Sequence, residues 1–66
     1  MVSYDRLWLL LRKRGLQPKD LNDIAGLSAS TIRALQKNQH VRMDVLERIC
    51  HALNVDVGDI CSFRDR

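Results

Sequence analysis

The chain has 66 residues, a length that supports one domain with a small core, and we expect residues 1–66 to fold as a single unit. Its 45% hydrophobic and 29% charged residues exclude a disordered or low-complexity protein. The net charge of +3 is mildly basic, which by itself is weak support for a nucleic-acid partner.

Near the start of the chain, hydrophobic residues follow the three-and-four spacing of an amphipathic helix. They are Tyr4, Leu7, Trp8 and Leu11. Ser3 is predicted to cap the start of this helix, and Gly15 suits the position just past its end. The basic residues 12–14 are interpreted as a solvated helix end, where the helix dipole favours positive charge.

Two more helices are predicted next, with almost no loop between them. Pro18 fits the first turn of the second helix, where its missing N–H is not needed, and Gly26 ends that helix. Ser28 offers a hydroxyl cap to the third helix. The third helix is expected to end near Asn38, because asparagine tolerates the left-handed backbone conformation.

A fourth amphipathic helix is predicted over residues 42–53, with Asp44 and Arg48 spaced for an i,i+4 ion pair. Asp56 and Asp59 then resemble a loose capping box, which predicts a final short helical turn. No strand pattern is found. The chain is therefore predicted to be all-α, a compact bundle of about five short helices.

The longest apolar run, Leu7 to Leu11, is too short to cross a bilayer, and no cleavage site of small residues follows it. We therefore expect a cytoplasmic protein without a membrane partner. In that compartment Cys50 and Cys61 are expected to stay reduced rather than form a disulfide.

The two helices on either side of Gly26 carry the most informative motif. A glycine stop, one apolar residue and a serine cap force the two helix axes into a sharp corner, as in a helix-turn-helix. The motif occupies residues 18–37, which read PKDLNDIAGLSASTIRALQK, and it resembles that of the Cro and phage-repressor family, often called the XRE family. The family's apolar and glycine positions are occupied here by Leu21, Ala25, Gly26, Leu27, Ile32 and Leu35.

The resemblance extends to both flanks, which read YDRLWLLLRKRG before the motif and VLERICHALNVDVGDI after it. It implies a lambda-repressor-like fold in which the second and third helices form the helix-turn-helix. It also implies sequence-specific binding of double-stranded DNA by a transcription regulator, in particular a repressor. We expect a homodimer that places two copies of the third helix in successive major grooves, about 34 Å apart, on an imperfect palindrome.

Three positions depart from the family pattern. Asn22 stands where relatives carry a small residue inside the first helix of the motif. Pro18 stands where many relatives carry a glutamine that holds a phosphate, and Ala29 where many carry a glutamine that reads adenine. That phosphate contact therefore cannot be transferred to this chain, and its target sequence must differ.

Helical geometry selects the face that would read base pairs. At about 100° per residue, Ile32 and Leu35 define the buried side of the third helix. The predicted base-reading residues lie away from it and are Ala29, Ser30, Arg33, Ala34 and Lys37. The two cations can donate to guanine, the serine can pair with several bases, and the alanines can contact a thymine methyl group.

Polar residues at helix ends and in the loop after the third helix are predicted to bind backbone phosphates. They are Lys19, Ser28, Thr31, Asn38, Gln39, His40 and Arg42. No acidic residue lies between Asp23 and Asp44, which favours contact with a polyanion. For Gln39 and His40, the alternative is an exposed loop without functional weight.

Catalytic and metal-binding chemistry have little support in the sequence. Two cysteines and two histidines could be proposed as a zinc set, but short paired spacings such as C-x-x-C are missing. They are His40, Cys50, His51 and Cys61. Paired carboxylates and a phosphate-binding glycine loop are also missing. We therefore expect no enzyme activity, no cofactor, no metal and no small-molecule substrate.

The alternative function is a protein-interaction module on the same fold, such as an antitoxin-like protein or an adaptor. The first helix carries Leu9 and Leu10 beside its core positions, so at least one of these leucines should lie on the surface. That spot could be a partner site or the dimer contact, for which the C-terminal segment is the other candidate. A scattered surface leucine is the simpler explanation.

Overall fold

Four α-helices, one 3₁₀ turn and two short strands make up the computed structural model, which describes residues 1–64. In chain order they are β1 (Val2–Ser3), α1 (Asp5–Lys13), α2 (Asp20–Ala25), α3 (Ala29–Gln36), α4 (Met43–Leu53), the 3₁₀ turn (Val57–Asp59) and β2 (Ser62–Phe63). The predicted helical bundle is confirmed. The fifth helix is a single 3₁₀ turn, and the two strands were not predicted.

The start of α1 differs from the prediction. Tyr4 precedes the helix, whereas Ser3 lies in β1 and is 1% exposed, so the serine is not the cap residue. Its hydroxyl still accepts a hydrogen bond from the Asp5 amide, with 3.3 Å between Oγ and N, and satisfies one of the free N–H groups at the helix start. Gly15 follows the helix end with φ of +71°, as the predicted stop requires.

Helix α2 is shorter than predicted at its start. Pro18 and Lys19 form a turn before the helix, because the Asp20 carboxylate accepts a hydrogen bond from the Gln17 amide at 2.7 Å and fixes that turn. Pro18 therefore leads into α2 rather than lying in its first turn. The missing N–H of proline costs nothing in either place.

Helix α4 follows Arg42, whose backbone is extended and whose side chain makes no cap hydrogen bond. The predicted pair of Asp44 with Arg48 is wrong. Asp44 Oδ1 lies instead 3.2 Å from Nε of Arg42, an ion-pair distance without hydrogen-bond alignment. The extended backbone at Arg42 lets its side chain fold back over the first turn of α4.

The capping box before the 3₁₀ turn is confirmed. The Asp56 amide donates to the Asp59 carboxylate at 3.0 Å, and the Asp56 carboxylate accepts a hydrogen bond from the Val57 amide at 2.7 Å. These two bonds satisfy backbone donors at the start of the turn. Ile60 follows the turn and is fully buried, so the turn closes the core.

The two ends of the described chain pair as an antiparallel sheet. Val2 lies opposite Phe63, and Ser3 lies opposite Ser62. Backbone hydrogen bonds between residues 1 and 64 extend this pairing by one step. Each strand is two residues long and shows no alternating pattern, which is why the sequence does not reveal it.

One hydrophobic core joins β1 and the four α-helices, and it is built mostly from leucine and isoleucine. Its members are Val2, Tyr4, Leu7, Leu11, Leu21, Leu27, Ile32, Leu35, Leu46, Ile49, Leu53 and Ile60. Leu9 remains 53% exposed on α1 while Leu10 is half-buried, so the expectation of a surface leucine on this helix is met. None of the described helices is long and apolar enough to cross a membrane.

Both cysteines are free thiols that lie half-buried against the core. Burial raises the pKa of the Cys50 thiol above its ordinary value, and the nearby Asp56 carboxylate and Cys61 add to that effect. The thiolate is the reactive form of cysteine, and a raised pKa disfavours it. Cys50 therefore has the character of a packing residue.

Candidate nucleic-acid interface

Two residues build the corner between α2 and α3: Gly26 through its backbone conformation, and Ser28 through its side-chain hydroxyl. Gly26 ends α2 with φ of +67°, a left-handed conformation that glycine adopts without a steric penalty. Ser28 is extended, and its hydroxyl accepts a hydrogen bond from the Thr31 amide at 3.3 Å. A left-handed stop followed two residues later by a capped start turns the chain sharply, so α3 projects away from α2.

Asn22 supports the same corner. Its side-chain amide donates to the Leu27 carbonyl at 2.8 Å, which ties α2 to the turn that follows it. The departure from the small residue of the family pattern therefore adds a hydrogen bond across the corner. The sequence shows position 22 as a departure from the family pattern but does not reveal the hydrogen-bond partner of its side chain.

The end of α3 is fixed by a second left-handed residue. Asn38 has φ of +55°, and the Gln39 amide donates to the Ala34 carbonyl at 2.9 Å, which closes the helix end. The Asn38 side chain accepts a hydrogen bond from the Tyr4 amide at 3.1 Å, and the Tyr4 hydroxyl donates to the Gln39 carbonyl at 2.8 Å. The loop after α3 is thus held by the residue that precedes α1.

The residues predicted to read bases lie on the outward side of α3. Ile32 and Leu35 are buried beneath the helix, as expected. Of the five predicted residues, Ala34 is half-buried and the other four are exposed, namely Ala29, Ser30, Arg33 and Lys37. The structure therefore brings two cations, a hydroxyl and a small apolar side chain onto one surface free of carboxylates. We call these four exposed residues the α3 face.

A shallow groove of about 270 Å³ runs along one side of the α3 face. Ser30, Thr31 and Ala34 form its α3 wall, and residues 40–42 and Val45 form the facing wall. We call it the α3–α4 groove. His40 and Arg42 stand exposed at this groove, although the guanidinium of Arg42 is held near Asp44.

A second groove, of about 430 Å³, runs along the other side of α3. It separates the end of α3 from the end of α1 and the loop before α2, and its polar lining comes from Arg12, Gln17 and Gln36. We call it the α1–α3 groove. The sequence does not predict a shared surface for these three residues, because only the fold brings the end of α1, the loop after it and the end of α3 together.

The other predicted phosphate ligands fall into two groups. Lys19 and Gln39 are exposed, as the prediction requires. Ser28 and Thr31 have hydroxyls 3.0 Å apart, and Ser28 Oγ also lies 3.1 Å from Ser30 Oγ, so these side chains hydrogen-bond with one another at the start of α3. Asn38 uses its side-chain oxygen within the protein, which leaves only its amide nitrogen for a ligand.

The part of the chain from residue 1 to 64 contains no group of three or more histidine, cysteine or acidic side chains that could hold a metal ion. The polar groups around α3 are instead cations, hydroxyls and amides. These groups donate hydrogen bonds to anionic oxygens and to base edges. The surface around α3 therefore suits a polyanion with hydrogen-bonding edges.

Comparison with known proteins agrees with this geometry. The family model described as a Cro/C1-type helix-turn-helix DNA-binding domain matches residues 6–66. The solved structure titled transcriptional regulator VanUg, crystal form II, matches with a TM-score of 0.88 and 44% sequence identity, over 92% of this chain and 81% of that chain. Among curated proteins, none matches with significant similarity.

Proposed function

Because this chain belongs to the Cro/C1-type helix-turn-helix family of DNA-binding domains, which are not enzymes, we propose that it is a transcription regulator that reads duplex DNA with α3. The exposed α3 face, with its two cations and no carboxylate, is the observation that carries the proposal. A helix of this kind fits the major groove, where base edges present donors and acceptors.

Arg33 is assigned the main part in base recognition. It lies near the middle of the α3 face, and its forked guanidinium can donate to O6 and N7 of one guanine. Lys37 and Ser30 offer further donors toward neighbouring base pairs, and Ala29 offers a methyl group to thymine. Ala34, which is half-buried in the α3–α4 groove, can contact only a base at the edge of the site.

Phosphate binding is assigned to polar residues at the two ends of α3 and in the neighbouring loops. His40 and Arg42 line the α3–α4 groove, with Gln39 in the same loop, and Lys19 stands before α2. Thr31 and Ser28 lie at the start of α3, and Asn38 lies at its end. Such contacts position the protein on the duplex and carry no sequence information directly.

We further propose a homodimer on an imperfect palindrome. The described chain measures 33 × 23 × 18 Å, so two protomers in contact can place their α3 helices about 34 Å apart, one turn of the duplex. Occupying a promoter requires only DNA binding, and repression is therefore the proposed regulatory outcome. A reporter gene placed behind the selected site should lose expression when the protein is present.

The C-terminal segment is the favoured dimer surface. An apolar groove of about 460 Å³ lies between β1, α4 and β2, beside Met43, which is 73% exposed, and Phe63, which is 86% exposed. None of the four residues of the α3 face lines this groove, so a twofold axis there would leave both α3 faces open, although the groove meets the α3–α4 groove at His40 and Val41. On α1, Leu9 is a smaller exposed patch.

Sedimentation of two matched variants tests the dimer surface. Phe63→Ser should convert the protein to monomers and weaken binding to a palindrome, while binding to a half-site stays unchanged. Leu9→Ser should leave the dimer intact. The reverse pattern would move the interface to α1, and a monomeric wild-type protein would remove the dimer from the proposal.

Selection of bound sites from a randomised DNA pool tests the function itself. We expect a recovered consensus with twofold symmetry, and binding that weakens steeply as salt rises, since each neutralised phosphate releases counterions. A protein-interaction module, the alternative suggested by exposed Leu9, would recover no consensus and show little salt-dependent binding. That outcome would refute DNA recognition by α3.

A further inference from the structure

We propose that Tyr4 is a positioning residue for DNA binding, whose hydroxyl holds the loop after α3 in the conformation in which His40 binds a backbone phosphate. Tyr4 lies outside the helix-turn-helix motif and is 1% exposed, so it does not touch DNA itself. The inference rests on the proposed function and deepens it, because it names a buried residue on which the affinity of an exposed surface depends.

The loop after α3 has little backbone support of its own. Residues 39–42 belong to no helix or strand. The Gln39 amide and the Arg42 carbonyl make backbone hydrogen bonds at the two ends of this segment. Within residues 1–64, no backbone–backbone hydrogen bond involves His40 or Val41. The position of His40 beside the α3–α4 groove must therefore be fixed by side chains.

Tyr4 supplies that support on both sides of His40. Its hydroxyl donates to the Gln39 carbonyl at 2.8 Å, and the Val41 backbone also hydrogen-bonds to this hydroxyl. The Tyr4 amide donates to the Asn38 side chain at 3.1 Å. A ligand whose backbone is fixed in advance loses less conformational entropy when it binds. The hydroxyl therefore favours phosphate binding by the exposed residue that it brackets.

Tyr4 is itself held by the body of the protein. It directly follows β1, which pairs with β2, and its carbonyl accepts a hydrogen bond from the Leu7 amide of α1 at 2.9 Å. Its ring belongs to the hydrophobic core. The loop thus takes its geometry from the start of the chain as well as from the end of α3.

The first test compares Tyr4→Phe, which removes only the hydroxyl, with Asp56→Ala, which removes the cap of the 3₁₀ turn outside both grooves beside α3. Each should lower Tm by about 4 to 8 °C. Tyr4→Phe should bind every duplex about fivefold more weakly, the equivalent of one hydrogen bond, and keep its base preference. Asp56→Ala should bind like wild type. Wild-type affinity in Tyr4→Phe, or equal losses in both variants, would overturn the proposal.

Double-mutant cycles show whether Tyr4 acts through the loop. They are measured on a half-site duplex, so that changes in dimerisation do not enter. The loss from Tyr4→Phe combined with His40→Ala should be clearly smaller than the product of the two single losses, because both substitutions affect one contact. Tyr4→Phe combined with Lys19→Ala should give the full product, since Lys19 stands before α2. Full products in both cycles would assign Tyr4 a general effect on the fold and refute its positioning role.

The same measurements separate this inference from the proposed function. A wild-type protein that binds duplex DNA, but whose affinity changes with neither His40→Ala nor Tyr4→Phe, would refute the positioning role alone. A wild-type protein that does not bind duplex DNA would refute the proposed function as well.

Discussion

The helix-turn-helix corner and the terminal sheet are stabilised over very different distances along the chain. In the corner, Asn22 bonds to Leu27, and Ser28 bonds to Thr31, so every side-chain bond spans five residues or fewer. In the terminal sheet, residues 1–3 pair with residues 62–64. The first region folds from local signals, whereas the second requires both ends of the chain to meet.

The two regions also present different chemistry. The corner displays cations, hydroxyls and amides around α3, whereas the terminal sheet borders an apolar groove with exposed Met43 and Phe63. Polar groups fixed by local bonds can meet a ligand without rearrangement of the backbone. The apolar groove exists only once β1 and β2 have paired. Base recognition and self-association are thereby assigned to different surfaces, which meet at His40 and Val41.

Truncation of a buried core residue beneath the corner should have the largest effect on the free energy of unfolding. Leu35 is fully buried under α3, and Leu35→Ala should cost about 2 to 5 kcal/mol of the free energy of unfolding, because it leaves a cavity in a small core. Urea denaturation followed by circular dichroism measures this loss. Leu9→Ala, at a position 53% exposed, is the control and should change stability by about 0.5 kcal/mol or less.

Changes on the polar surface should alter binding without altering the fold. Arg33→Ala should cost about 1 to 3 kcal/mol of binding free energy on the selected site and relax the base preference. Arg42→Ala should weaken all sequences alike, since a phosphate contact carries no sequence information. Binding titrations on the selected site and on a random duplex separate the two effects. Equal, sequence-independent losses from both substitutions would contradict the assigned roles.

Substitutions at Ser28, the cap of α3, test whether a local hydrogen bond stabilises the corner. Ser28→Ala removes the hydroxyl that accepts from the Thr31 amide and should cost about 1 kcal/mol of unfolding free energy. Ser28→Asp retains an acceptor at the same place and should restore most of that loss. Thermal melting of both variants checks the prediction. No difference between the two would show that the hydroxyl does not stabilise the corner.

Tyr4 joins the two regions, and its titration should change stability by no more than the loss of the α3 cap does. Burial raises the pKa of its hydroxyl above the ordinary value, and nearby Cys61 adds to this, while a backbone hydrogen bond at Val41 acts in the opposite direction. An unfolded tyrosine ionises near pH 10, so the stability that Tyr4 contributes is complete below about pH 10 and is lost as pH rises through its folded pKa.

Melting curves of wild type and Tyr4→Phe between about pH 8 and 11 measure that contribution. At the lower end, wild type should be more stable by about 1 kcal/mol, the value of one hydrogen bond to the Gln39 carbonyl. The difference should shrink toward the upper end. A difference independent of pH would show that Tyr4 does not titrate in this range.

The corner could be predicted in detail because each of its signals belongs to a single residue. Gly26, Ser28 and Asn38 have the backbone conformations or caps that their chemistry favours, and the capping box at Asp56 is equally local. The family motif identified the same helices. These are features that a sequence window of a few residues contains.

The parts that the sequence did not predict depend on distant partners. Ser3 pairs with Ser62, fifty-nine positions away, in the terminal sheet and therefore does not cap α1. Arg12 and Gln36 reach one groove only because the fold brings the ends of α1 and α3 together. Asp44 finds Arg42 rather than Arg48, because the backbone before α4 is extended. None of these outcomes leaves a local pattern in the sequence.

The outward residues of α3 make few bonds to the rest of the protein, while Gly26 and Asn38 reverse the chain at both of its ends. Folding thus places little demand on which side chains occupy positions 29, 33 and 37. Those positions can be exchanged for other polar residues while the scaffold is conserved. One helical scaffold could in this way support α3 surfaces that recognise many different operators.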